Sequence, residues 1–135
     1  MRSQTTLSSI AAFALMVAVC SAAAQPRIPP TYHAAPDEVI QLPKYCYAQY
    51  VDGALSGEFA FPKSCGPAMN HYCGALVSMM RAQKMSLRKA ERVGYMQAAV
   101  REINYTIHDM SPGCPVAHDV LATKQRAEML SRIIK

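Results

Sequence analysis

The sequence has no tryptophan, little strand-like alternation of apolar and polar residues, and no Asn-Gly pair of the kind that closes a β-hairpin. These absences argue against a β-sheet fold and favour helices. It also lacks a Gly-x-Ser-x-Gly elbow, a His-Glu-x-x-His motif, a phosphate-binding glycine loop and the Cys-x-x-Cys-His haem motif. We therefore expect no enzymatic activity and no cofactor.

The first 24 residues have the three parts of a secretory signal peptide. Arg2 supplies positive charge, Ile10–Val19 form an apolar run, and Ala22–Ala24 offer a small-residue cleavage site. The apolar run is shorter than the roughly 18 residues of a membrane-spanning helix, so we predict no transmembrane anchor. Lipidation of Cys20 is disfavoured, because no small residue directly precedes it. The sequence thus predicts a periplasmic or secreted protein that begins at residue 25.

Four cysteines remain after cleavage: Cys46, Cys65, Cys73 and Cys114. Thiols oxidise outside the cytosol, and small domains gain stability from cross-links. An even number of cysteines therefore predicts two disulfides. A catalytic Cys–His pair is correspondingly disfavoured, because such cross-links leave no free thiol.

The remaining chain divides by composition. Residues 25–44 contain five of the nine prolines and little periodic apolar pattern, which predicts an extended or disordered arm. Residues 45–64 are rich in tyrosine and phenylalanine, with one helical turn expected around Tyr47–Val51. We expect residues 45–135 to form one helical domain cross-linked by the disulfides.

Three helical patterns follow Gly66. The first begins near Pro67, because a first helical turn tolerates the missing N–H of proline, and it ends around Lys84. Its apolar face consists of Met69, Tyr72, Cys73, Leu76 and Met80. Its polar face consists of Asn70, Ser78, Arg81 and Lys84. Ser86 is placed to cap the second helix.

The second and third patterns complete the fold prediction. The apolar seam of the second comprises Val93, Met96, Val100, Ile103, Ile107 and Met110. Residues 111–115 (SPGCP) end it, because proline cannot continue a helix. The third starts at Pro115, and its seam comprises Val116, Val120, Ala127, Leu130 and Ile134. We therefore predict an all-α fold: an antiparallel three-helix array with an irregular N-terminal arm.

The antiparallel arrangement also favours one disulfide connectivity. If the first two helices form a hairpin, Cys65 before the first faces Cys114 after the second. Cys73 lies about 12 Å further along the first helix. We therefore favour Cys65–Cys114 and Cys46–Cys73. The alternative, Cys46–Cys65 with Cys73–Cys114, stays open, because sequence alone does not determine connectivity.

A family resemblance rests on the stretch CGPAMNHYCGALVSMMRAQ (65–83), followed by AAVREINYTI and a third helix. It resembles a group of poorly characterised exported bacterial proteins in which a helix with an Asn-His-Tyr-Cys core precedes hairpins similar to tetratricopeptide repeats. The resemblance covers about residues 65–134. It implies a helical scaffold, with binding as its role and no known reaction.

The same stretch supports a competing hypothesis, a periplasmic copper-binding protein or metallochaperone. Its ligands would be Met69, His71 and Met80, since thioether sulfur suits Cu(I). However, His71 and Cys73 are two positions apart and point to different sides of a helix. Methionines at helical spacing usually fill a core. We therefore predict no metal site.

Five basic residues crowd the turn between the first two helices: Arg81, Lys84, Arg88, Lys89 and Arg92. Arg88 and Lys89 lie in a first helical turn, where positive charge is unfavourable. Their placement favours an anionic partner such as an acidic protein, a lipid headgroup or an envelope polysaccharide. The alternative, which charge clusters of this size more often represent, is a solvated basic turn softened by Glu91. We expect no nucleic-acid partner, because no aromatic residues interleave the cluster.

His71 also has two interpretations. Its ring either bonds a nearby backbone carbonyl or a tyrosine of residues 45–64, or it recognises a ligand together with Asn70 and Tyr72. Taken together, the patterns predict an exported, non-enzymatic interaction module. It would bind a protein or an anionic envelope component through the basic turn and the Asn70-His71-Tyr72 end.

Overall fold

The computed structural model describes residues 33–54 and 56–135. The predicted signal peptide and residues 25–32 of the predicted arm lie outside this range. The described residues contain helices and no strand, which confirms the all-α prediction. The helices are α1 (Pro36–Val39), α2 (Tyr47–Tyr50), α3 (Met69–Ala82), α4 (Lys89–Asp109) and α5 (Ala117–Ile134). Helix α2 lies where one helical turn was expected.

Helices α3 and α4 form the expected antiparallel hairpin. At one end, Arg92 Nε donates a hydrogen bond to the carbonyl of Ala82 over 2.9 Å. At the other end, Thr106 Oγ1 donates to the carbonyl of Ala68 over 3.2 Å. Between these contacts the hairpin buries small residues completely, Ala75 among them. Small side chains let two helix backbones approach closely, and the hairpin is therefore tightly packed.

Helix α5 runs in the same direction as α3: a disulfide joins the residues before their first turns, and further along Tyr72 of α3 contacts Thr123 of α5. The bond links Cys65 to Cys114, and Ser111 N donates to the carbonyl of Cys65 over 3.2 Å. Gly66 is required beside it: its φ is 86°, and an added Cβ would lie 3.1 Å from the carbonyl oxygen of Asp109. The second disulfide is Cys46–Cys73. The favoured connectivity is therefore confirmed.

The predicted seams of α4 and α5 pack as expected. Their buried members are Met96, Ile103, Val120, Ala127 and Ile134. Half-buried members pack against the same core: Val93, Val100, Ile107, Met110, Val116 and Leu130. Helix α4 also buries Tyr95 and Thr106, which the seam did not include.

Helix α3 is buried around most of its circumference, because other parts of the protein pack against it on several sides. This corrects its predicted polar face. Ser78 is fully buried, and its hydroxyl has no hydrogen-bond partner among the described residues. A second correction concerns the next helix. Ser86 does not cap α4; the backbone N–H of Arg88 donates to the carboxylate of Glu91 over 3.0 Å instead, because α4 begins only at Lys89.

The N-terminal segment, defined here as residues 33–54 and 56–65, packs on the side of α3 that carries Cys73. Leu42 and Cys46 form a cluster there with Cys73 and Val77. The prediction of an extended or disordered arm is therefore wrong for residues 36–42. They form α1 and the turn after it, and they bury Glu38 as well as Leu42. Arginine and lysine side chains of α3 and its following turn compensate the glutamate charge, which allows the carboxylate to be buried.

Candidate functional site

The structure separates the three residues predicted at the recognition end. Asn70 is exposed, whereas Tyr72 is only 2% exposed and belongs to the core. The hydroxyl of Tyr72 shares a hydrogen bond with Thr123 Oγ1 of α5 over 3.0 Å. Burial raises the pKa of this phenol, so it stays protonated. Tyr72 therefore joins α3 to α5 and is not part of an exposed recognition surface.

His71 is half-buried and held by α4, not by the tyrosine-rich residues 45–64. Its Nδ1 lies 2.5 Å from a carboxylate oxygen of Glu102, and its ring centroid lies 4.3 Å from that of Tyr105. The two contacts orient the imidazole. Nε2 has no hydrogen-bond partner among the described residues. The predicted tyrosine or carbonyl contact is thus replaced by a contact with the carboxylate of Glu102.

Two of the five basic residues form ion pairs with a buried carboxylate. Arg81 and Lys84 both bind Glu38, with closest N···O distances of 2.9 and 2.7 Å. The hydrogen bond from Arg81 is the main cause that lowers the pKa of Glu38 from 4.5 to about 2, against the opposing effect of burial. Arg81 also donates to the backbone carbonyl of His33 over 2.7 Å. These two cations therefore hold the N-terminal segment in place.

The other three basic residues differ in how exposed they are and in whether they have a partner within the protein. Arg92 is half-buried and donates to the carbonyl of Ala82 at the end of α3. Arg88 pairs with Glu91 over 3.1 Å, yet 78% of its side chain is exposed. Lys89 is exposed and has no ion pair in the described part of the chain. Arg88 and Lys89 are thus the exposed members of the predicted cluster that do not bind the N-terminal segment.

The alternative metal ligands are not brought together. Met69 and Met80 are eleven residues apart on one regular helix, which separates them by about 16 Å along its axis. His71 points to Glu102, and all four cysteines of the predicted mature chain are in disulfides. No cluster of three or more His, Cys, Asp or Glu side chains with metal-binding geometry occurs among residues 33–54 and 56–135.

A groove that sequence analysis missed lies between α3, α5 and residues 41–45. Its volume is about 420 Å³. Its apolar lining consists of Leu42, Pro43, Leu76, Met79, Met80 and Ala122, with tyrosine rings from Tyr45 and Tyr72. Its polar lining consists of Gln41, Gln83, Asp119, Thr123 and Arg126. No motif marks this groove, because its residues come from three separate parts of the sequence.

The charged side chains that line the groove make few contacts with other described residues. Asp119 and Arg126 lie seven positions apart, on one side of α5. The carboxylate of Asp119 lies 3.7 Å from the imidazole of its neighbour His118, and 65% of the Asp119 side chain is exposed. Arg126 is exposed and has no ion pair among the described residues. Both charges are therefore accessible to a ligand in the groove.

Comparison with known proteins assigns the chain to no family: no family model matches it, and no curated protein or solved structure matches significantly. The two disulfides are typical of proteins in an oxidising, exported environment. None of the helices in the described residues is long and apolar enough to cross a membrane.

Proposed function

We propose that this protein is an exported, non-enzymatic helical module that binds an extended segment of a partner protein in the groove between α3 and α5. The observation that carries the proposal is the lining of the groove, in which apolar side chains are bordered by accessible charges of opposite sign. Ligand sites commonly combine an apolar surface with a few polar groups that orient the ligand.

The shape of the groove supports a peptide as its occupant. The residues of α3 that line it extend from Tyr72 to Gln83, which corresponds to about 16 Å along the helix. About five residues of extended chain span this distance. Met79 and Met80 are flexible and polarisable, and such side chains adapt to different apolar partners.

The polar groups support the same occupant. The amides of Gln41 and Gln83 can each donate to and accept from a peptide backbone. Arg126 is complementary to an acidic side chain, and Asp119 to a basic one. We therefore expect peptides that carry both charge signs around an apolar centre.

The remaining parts of the proposal follow from the sequence. Export to the periplasm or the medium rests on the signal-like residues 1–24 together with the disulfides. The likeness to tetratricopeptide hairpins stays a prediction. The likeness is consistent with a groove that is lined by α3 and α5 and not by the intervening α4. The proposal does not depend on it.

Selection from a random-peptide library displayed on phage tests the proposal directly. We expect wild-type protein to enrich peptides with an apolar centre, and the Ala122→Arg variant to bind them about tenfold more weakly, since the new side chain would fill the groove. Gln97→Arg is the matched control, because it adds the same charge at an exposed position of α4 outside the groove. Fluorescence anisotropy of a labelled peptide measures both affinities.

Two results would contradict the proposal. One is a failure to enrich any peptide over the Ala122→Arg background. The other is equal loss of affinity in both variants, which would indicate a general effect of added charge. Arg126→Glu provides an independent test of orientation, since it should disfavour peptides with an acidic residue at the corresponding end.

A further inference from the structure

The three most exposed large apolar side chains of the described residues are Met85, Ile40 and Ile133, which are 79%, 72% and 71% exposed. Other exposed large apolar side chains in the described part are at most 55% exposed. The three belong to different elements: the turn between α3 and α4, the end of α1, and the last turn of α5. Whether the three side chains lie close together therefore depends on the tertiary structure.

All three lie at one end of the molecule. Met85 directly follows Lys84, and Lys84 binds Glu38, which is two residues from Ile40. Helix α5 starts beside α3 at the Cys65–Cys114 disulfide and runs parallel to it. The hydrogen bond between Tyr72 of α3 and Thr123 of α5 gives a common reference point for the two helices. Ile133 lies about 15 Å beyond it along α5, and the last residue of α3 lies about 15 Å beyond it along α3. The end of α5 is thus level with the turn.

The same end carries the net positive charge of the described residues. Its basic side chains are Arg81, Lys84, Arg88, Lys89, Arg92, Arg132 and Lys135. Its acidic side chains are Asp37, Glu38 and Glu91, of which the last two are paired with basic residues. In the rest of the described chain acidic residues slightly outnumber Lys and Arg. The basic end, as we call this set, therefore combines excess positive charge with protruding apolar side chains.

We propose that the basic end docks on the surface of an anionic phospholipid membrane. Anionic headgroups attract clustered Lys and Arg, and each side chain near the surface strengthens binding. Apolar side chains that protrude between the cations can enter the boundary between headgroups and acyl chains. A soluble polyanion would use the cations alone and would leave Met85 and Ile133 exposed to water.

Sedimentation with phospholipid vesicles tests the proposal. We expect the protein to bind vesicles that contain phosphatidylglycerol, not vesicles of phosphatidylcholine alone, and to dissociate as salt rises. Arg88→Gln combined with Lys89→Gln should weaken binding about 25-fold at low salt, since each basic side chain contributes about fivefold. Lys63→Gln combined with Arg101→Gln is the control, because it removes two exposed cations outside the basic end.

A second pair of variants tests the apolar contribution. Met85→Gln should weaken vesicle binding about fivefold, whereas Leu121→Gln near the start of α5 should not. Equal losses in the two double variants would overturn the proposal, because binding would then depend only on net charge. Absence of binding to anionic vesicles, or an unchanged affinity of Met85→Gln, would overturn it as well. Circular dichroism melting curves confirm that each variant is folded.

Discussion

Helix α3 is packed on two sides by very different means. Towards α4 it presents small and apolar side chains at helical spacing, and the contact is closed by hydrogen bonds at both ends. Towards the N-terminal segment it presents the disulfide-bonded Cys73 and the apolar Val77, while Arg81 and, in the following turn, Lys84 hold a buried glutamate. The first contact resembles the interior of any helical hairpin. The second combines a small apolar cluster with a cross-link and a buried ion pair.

The difference bears on the proposed function, because residues 41–45 form one side of the groove. The α3–α4 contact determines whether the domain folds, whereas the disulfide and the ion pairs determine whether the groove is complete. A variant that loosens the N-terminal segment should therefore weaken peptide binding more than it affects the helical array.

Ile103→Ala should have the largest effect, because it removes a fully buried side chain from the core of the array. Loss of such a side chain, with the cavity that it leaves, destabilises a domain by about 4 kcal/mol. Denaturant unfolding followed by circular dichroism measures the change. Ile133→Ala deletes the same atoms from a side chain that is 71% exposed, and it should shift stability by less than about 0.5 kcal/mol. Similar losses for the two variants would contradict the described core.

Removal of the Cys46–Cys73 disulfide by the double substitution Cys46→Ala and Cys73→Ala should destabilise the protein by about 3.5 kcal/mol. The bond closes a loop with a sequence separation of 27, and its loss increases the entropy of the unfolded chain. We also expect faster tryptic cleavage after Lys44, while the helical circular dichroism signal persists. Unchanged cleavage would show that the ion pairs suffice to hold the segment.

Glu38→Gln should destabilise the protein by up to about 3 kcal/mol at neutral pH, because it removes the charge that Arg81 and Lys84 bind. The folded-state pKa of Glu38, about 2, is below its ordinary value of 4.5. Its stabilising contribution is therefore complete above about pH 4.5 and is lost as the pH falls towards 2. Unfolding curves of wild type and variant should converge over this range.

The neighbouring Asp37 offers a control for this prediction. It is exposed, and its side chain makes no ion pair among the described residues, so Asp37→Asn should leave stability nearly unchanged. If the free energies of unfolding of wild type and Glu38→Gln still differ at pH 2, the carboxylate charge is not what holds the segment.

Ser78→Ala should have the smallest effect, and in the opposite direction. The hydroxyl of Ser78 is buried and has no hydrogen-bond partner in the described part of the chain, so its removal should stabilise the protein by about 1 kcal/mol. Ser131→Ala is the comparison, since that hydroxyl donates to the carbonyl of Glu128 over 2.8 Å and its loss should give a smaller gain or a small loss. Destabilisation by Ser78→Ala would show that the hydroxyl is hydrogen-bonded in solution.

The helices and the cross-links were predicted correctly because their signals are local or geometrical. The seams from Val93 to Met110 and from Val116 to Ile134 follow helical spacing, and the hairpin geometry then brings Cys65 to Cys114. The site predictions on α3 were less successful. Tyr72 and Ser78 lie on a helix that is packed on several sides, and helical spacing identifies one apolar face, not the number of neighbours.

The sequence by itself determined an all-α protein with three main helices and two disulfides, because helix periodicity and cysteine number are properties of the chain. Only the tertiary structure decided that Glu38 is buried between Arg81 and Lys84, that His71 meets Glu102, and that a groove opens beside α5. These arrangements join residues more than 30 positions apart. The free energy of burying a charge or a hydroxyl depends on the partner that the fold brings to it, and no local pattern encodes that partner.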